Sequence, residues 1–185
     1  MKKIIIAVIC IMCLPTISSA QEKQHINLQK STIKWIGEYT FSFGGHDGNI
    51  RFKEGHFIKT NGIITGGEFS IDMNSLTNTD IKTARANLNL VNHLKDPDFF
   101  DVKKFPLAYL KITKFEHFKD NQIRVTANLT IKGITKSISF NGELNNEEMK
   151  TRFKIDRQAW NINYKSKMKD SPISDAIGFE ISIKL

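Results

Sequence analysis

Cysteine is nearly absent from this chain: its 185 residues contain two, Cys10 and Cys13, both within the first twenty positions. A chain cut after Ala20 has none, which excludes a thiol nucleophile, thiolate zinc sites, CxxC redox chemistry and iron–sulfur clusters. Proline is scarce, at four residues, so Pro-rich linkers are excluded too. There is no GxSxG elbow, HExxH pair, GxxxxGK[ST] loop or GxGxxG turn, which removes the local signatures of serine hydrolases, zincins and nucleotide-binding folds. The five histidines, His25, His46, His56, His93 and His117, include no HxH or HxxxH pair, so no metal is expected. Nothing points to catalytic machinery, and the expectation is a protein that is not an enzyme and carries no cofactor.

The N-terminus carries an address. Met1-Lys2-Lys3 is a basic start, Ile4 to Leu14 is apolar, and Ser18-Ser19-Ala20 offers small residues before a cut ahead of Gln21. The apolar run covers about 16 Å as a helix, against about 30 Å of bilayer core. This is the pattern of a cleaved secretory signal, residues 1–20, and it implies export to the periplasm. Without Lys2 and Lys3 the 27 basic residues fall to 25, against 19 acidic ones. That modest excess, with no long basic block, favours anionic surfaces such as a membrane as transient partners and gives no case for nucleic acid.

What remains, residues 21–185, has the length of one domain. Its pattern is period two. Ile63, Thr65, Gly67, Phe69, Ile71 and Met73 share one parity, as do Ile123, Val125, Ala127, Leu129 and Ile131, and likewise Ile177, Phe179, Ile181, Ile183 and Leu185. Such alternation predicts half-buried strands. Eight are expected, near 32–44, 48–58, 62–74, 106–118, 122–132, 134–144, 148–158 and 176–185. Asp47-Gly48, Asn61-Gly62, Asp120-Asn121, Lys132-Gly133 and Asn145-Asn146 supply turn chemistry between them. Eight locally joined strands predict an all-β, antiparallel, up-and-down barrel of the lipocalin kind. One helix is expected between strands 3 and 4, where Ile81, Ala84, Leu88 and Val91 fall on one helical face and Asn78 or Thr79 offers a cap. Whether it caps the barrel or flanks it is left open.

A barrel of eight strands either fills itself with side chains or holds one small ligand. The inward parity is aromatic, with 13 Phe in the chain, and glycines interrupt it at Gly37, Gly67 and Gly142, as bulges or as places where a ligand comes close. The lining candidates are Ile33, Trp35, Phe41, Phe43, Ile50, Phe52, Phe69, Ile71, Leu110, Leu129, Phe140, Phe153, Trp160 and Phe179; core packing is the competing role for each. Candidates for a polar head group are His46, His93, Arg157 and the pair Lys165 and Lys167, which with Lys169 share one side of an extended segment. Arg157 lies on an inward parity, where a guanidinium is costly without a carboxylate or a ligand beside it. Asp96, Asp98 and Asp101 lack the glycine and distal glutamate of an EF-hand loop and fit caps of the Phe99-Phe100 turn.

Three segments carry a family resemblance. His93-Leu94-Lys95-Asp96-Pro97-Asp98-Phe99-Phe100-Asp101-Val102, with Phe105-Pro106, resembles the HLxSxDFFDVxxFP signature of YceI-like proteins. Residues Ala127 to Lys136 resemble that family's GxLTIKGVTK, and Ile155-Asp156-Arg157 with Trp160 and Ile162 resembles its third hallmark. Asp96 stands where the family commonly has Ser, and Ala127 where it often has Gly. The resemblance implies an exported lipocalin-like barrel that encloses a polyisoprenoid or a fatty-acid-like lipid, often as a homodimer. The function so expected is lipid sequestration or transport; the alternative is a stress-response or interaction module whose barrel is filled by its own side chains.

Overall fold

The computed structural model describes residues 21–40, 44–164 and 173–185. Among these residues nine strands form one sheet: β1 (Gln21–His25), β2 (Thr32–Tyr39), β3 (Gly45–Thr60), β4 (Ile63–Asp72), β5 (Leu107–His117), β6 (Gln122–Ile131), β7 (Ile134–Leu144), β8 (Glu148–Asp156) and β9 (Ile173–Lys184). Strands β2 to β9 pair antiparallel in sequence order, and β2 pairs with β9, so eight of them close a barrel. β1 is extra. It pairs with the far half of β3, Gln21 opposite Thr60 and His25 opposite His56, beyond the stretch that β2 covers. Its five polar residues carry no apolar alternation, which is why the sequence did not show it.

The turns follow their chemistry. Asn61 and Gly62 both have positive φ, as do Lys132 and Gly133, the geometry that two-residue hairpins demand. Asp47-Gly48 is a correction. It is no turn but part of β3, paired with Ile36 and Trp35. Glycine is required at position 48 because a Cβ there would lie 1.8 Å from the Thr77 carbonyl oxygen.

Three single-residue bulges break the simple parity, and a further register shift lies between Gly37 and Tyr39 where β2 faces β9. Lys53 is the extra residue of β3 opposite β4, Thr65 that of β4 opposite β3, and Thr113 that of β5 opposite β6. Each flips the inward face by one residue. Phe52 and Phe57 therefore both point inward although their parities differ. Ile64 is buried while Ile63 is 57% exposed, against the parity expected for that strand.

The helix α1 (Ala84–Lys95) follows β4, separated from it by a 3-10 turn, Met73–Ser75, and a strap running to Thr83. Its position in strand order is thus after the fourth strand rather than the third, because β1 adds one to the count. Its phase also differs from the expected one: Ala84 and Leu88 face solvent, Leu88 being 59% exposed, while Leu90, Val91 and Leu94 face the core. Thr83 is the N-cap, and it makes no side-chain capping bond. Asn78 and Thr79 bind β3 instead, through Asn78 Nδ2 to the Asp47 carbonyl (2.9 Å) and Thr79 N to the same oxygen (2.9 Å).

One joint in the barrel is short. β7 and β8 pair through Gly142, Glu143 and Leu144 with Thr151, Lys150 and Met149, whereas β6 and β7 are paired from Gln122 to Ile131. Beyond the joint the strands separate, and the 3-10 turn Arg157–Trp160 packs against β7.

Candidate functional site

The barrel is filled at one end and hollow at the other. At the filled end Phe57, Val125, Ile123 and Ile64 are buried, with the Phe57 ring edge-on to Phe69 (5.1 Å) and to Phe115 (6.4 Å). Toward the other end lies a cavity of about 200 Å³ whose wall is almost wholly apolar. That is far more than the water-sized voids left in a close-packed core.

Most of the lining candidates meet there. Ile33, Trp35, Ile50, Phe52, Phe69, Ile71, Leu110, Leu129, Phe140, Phe153 and Phe179 all line the cavity. Phe140 and Phe153 stack at 4.6 Å across the short β7–β8 joint, and Phe179 stands 5.6 Å from Phe153. Trp160 is a correction. It is buried but lies off the cavity, its Nε1 donating to the Leu129 carbonyl at 3.2 Å, because the turn that carries it wedges where β7 and β8 part. Phe41, Phe43, Lys165 and Lys167, and the N-terminal segment 1–20, lie outside the described residues. Of the interrupting glycines, Gly37 lines the cavity, whereas Gly142 admits β8: a Cβ there would stand 2.5 Å from the Lys150 carbonyl.

The helix caps the hollow end. Leu90, His93 and Leu94 of α1, and Phe99 and Phe100 of the turn after it, all reach the cavity. That turn is held by Phe99 N to the Asp96 carbonyl (3.0 Å) and by Asp101, which has positive φ. Periodicity missed Leu90 and Leu94 because it placed the helix face one step away. Tyr39, a further liner, continues the parity of Ile33, Trp35 and Gly37 and was legible in that pattern.

Polar groups gather at this same end. Arg157, 3% exposed, lines the cavity and donates from Nη2 to Asp175 (2.8 Å), from Nε to the Ser174 carbonyl (3.2 Å) and from Nη1 to the Ile162 carbonyl. Asp175 is the partner that strand parity alone did not name. His46 is on β3 opposite Gly37, not in a turn, with Nδ1 2.8 Å from Asp80 Oδ2 and Nε2 3.1 Å from the Tyr39 hydroxyl. Burial pushes the Asp80 carboxyl up, but hydrogen bonds from His46, the Asp47 amide and Asn78 together outweigh it and hold the group below the usual carboxylate range. The His93 ring lies edge-on to Tyr164 (4.4 Å) and near Phe99 (5.9 Å), and its Nε2 is buried with no hydrogen-bond partner among the described residues. His93, Asp96 and Asp98 bring potential metal-ligand atoms within 4.8 Å of one another, but both carboxylates are exposed and such groups are common without an ion.

Comparison with known proteins fits this architecture. A UPF0312 protein of Vibrio vulnificus is 30% identical over 117 residues, 57% of this chain and 62% of the relative. One from Vibrio parahaemolyticus is 27% identical over the same shares. The chain thus spans about three fifths of the length of these curated relatives. Among solved structures, Burkholderia cenocepacia BcnA superposes with a TM-score of 0.71 at 18% identity, over 86% of this chain and 99% of that one. The Campylobacter jejuni YCEI protein does so at 0.50 and 17% identity, over 100% and 99%. At such identities these two likenesses concern the fold. The model of the YceI-like domain matches residues 19–185, and the chain belongs to that family.

Proposed function

We propose that this protein binds one long-chain amphipathic lipid, a polyisoprenoid or a molecule of similar shape, with its tail in the hollow half of the barrel and its head at the polar end under α1. The observation that carries the reading is the cavity itself: an almost wholly apolar wall, with Arg157, His46 and His93 among the few polar residues that line it. Burying hydrocarbon contributes about 0.8 kcal/mol per CH₂, so a tail alone supplies ample affinity after the costs of ordering it are met. No bond in the ligand needs to be broken for this role. The barrel shields a tail from water and hands it on, which suits an exported protein that meets anionic membrane surfaces and works without cofactor, with or without a second copy. A barrel that served only as an interaction module would have no need of a hollow end.

Native mass spectrometry of protein purified from its own host tests the proposal. The expected result is a mass increment of one lipid per chain that solvent extraction removes. A protein that always emerges empty, and that takes up no lipid from vesicles, would overturn it.

A further inference from the structure

The helix α1 is apolar on two sides. Leu90 and Leu94 turn inward and line the cavity, whereas Ala84 and Leu88, which the sequence period places on the buried face, stand in solvent. Leu88 is 59% exposed. With Leu76 and Ile81 of the strap, these two edge a shallow groove on the outside of the molecule, and Lys82 borders it. A helix that had only the barrel to pack against would carry polar residues on its outer side.

The charges on this outer side have one sign. The helix, ARANLNLVNHLK, contains no carboxylate, and Lys82 and Arg85 are exposed without an ion pair among the described residues. Asp80, beside Ile81, is engaged by His46, the Asp47 amide and Asn78. Asp96 and Asp98 are exposed but lie past the far end of α1. Eleven residues of helix put Asp96 about 16 Å from Arg85, beyond the screening length of about 8 Å at physiological salt. We propose that the outer face of α1, centred on Ile81, Lys82, Arg85 and Leu88, docks on an anionic lipid bilayer. The apolar side chains enter the head-group layer and the basic ones meet the phosphates, the two contributions that hold an interfacial helix. The helix that caps the hollow end is then the part of the molecule that touches the membrane. Its use in loading the cavity rests on the lipid-binding reading above, but the docking itself is measured without a ligand.

The test is flotation of protein purified from its own host with two kinds of vesicle, phosphatidylcholine alone and phosphatidylcholine mixed with phosphatidylglycerol. Binding to the anionic vesicles and not to the neutral ones is expected, falling at high salt. Leu88→Ser should weaken it about tenfold, and Lys82→Gln and Arg85→Gln about fivefold each. These positions are exposed, so thermal melting should hardly move. All variants share one N-terminus, so the contrast among them reports the helix face. Phe118→Ser is the control: 58% exposed in the β5–β6 turn at the filled end, it should leave binding unchanged. No flotation, equal flotation on the two vesicles, or a Phe118→Ser loss as large as that of Leu88→Ser would overturn the docking face. So would a parent that self-associates in solution and becomes monomeric with Leu88→Ser, because a second copy then covers the groove. In each of these cases lipid retention, read separately by native mass spectrometry, stands or falls by itself.

Discussion

The two halves of the barrel are built from the same strands and come out differently. Near the β3–β4 hairpin, Phe57, Phe115, Ile123 and Val125 close the interior; under α1, Phe52, Leu110, Phe140 and Phe153 surround open space. Phe57 and Phe115 each follow a bulge, at Lys53 and Thr113, that turns an outward parity inward and brings their rings together. In the hollow half the joint between β7 and β8 shortens, and the wall is held by stacked rings where ladder hydrogen bonds end. The filled half therefore contributes stability and the hollow half contributes capacity, so mutations in the two should separate these properties.

The sharpest way to break that division is Phe57→Ala. Removing a fully buried aromatic from the packed end should cost about 3–5 kcal/mol, read by denaturant melting, with lipid stoichiometry retained in the folded fraction. A loss of binding without a loss of stability would reverse the roles assigned to the two ends. Asp175→Asn should cost less, about 1–2 kcal/mol, since it removes the carboxylate that matches a buried guanidinium but is itself half exposed. Adding Arg157→Met should recover only part of that loss, because the uncompensated charge is then gone but the Ser174 and Ile162 carbonyls lose their donor.

Leu110→Trp, in the hollow half, should do the opposite of Phe57→Ala. The added volume enters space already present, so the unfolding free energy should stay within about 1 kcal/mol of the parent, while lipid uptake falls by isothermal titration. A large destabilisation would mean that the space is not available to a side chain, and so not to a tail.

The smallest effect concerns acid. Asp80 has a folded pKa below its unfolded value, so its contribution is present above the unfolded carboxylate range and is lost as pH falls through the folded value. Asp80→Asn should therefore lower stability slightly in the neutral region and converge with the parent in acid, which flattens the acid limb of the profile.

How much of this was legible in the sequence follows from what each feature depends on. Strands β2 and β4 to β9 announce themselves through alternation and turn residues, since burial of one sheet face is a local property of each strand. The bulges do not, because an extra residue such as Thr65 is defined only against the strand it faces. Asp47-Gly48 looks like a turn for good chemical reasons; it lies in a strand whose glycine lets the Thr77 carbonyl of the strap approach where a Cβ would stand. The apolar wall of the cavity was readable one strand at a time. Its polar end was not: His46 and Asp80 are 34 positions apart, Arg157 and Asp175 are 18 apart, and sequence supplies the residue types without their pairing.

The two tryptophans offer the most direct check on where a tail lies. Trp35 lines the cavity, and Trp160 is buried in the barrel wall away from it. In Trp160→Phe and Trp35→Phe variants, each with a single emitter, a lipid brominated along its tail should strongly quench Trp35 and leave Trp160 much brighter. Equal quenching of the two, or none of Trp35 at saturating lipid, would contradict a tail held in the hollow half.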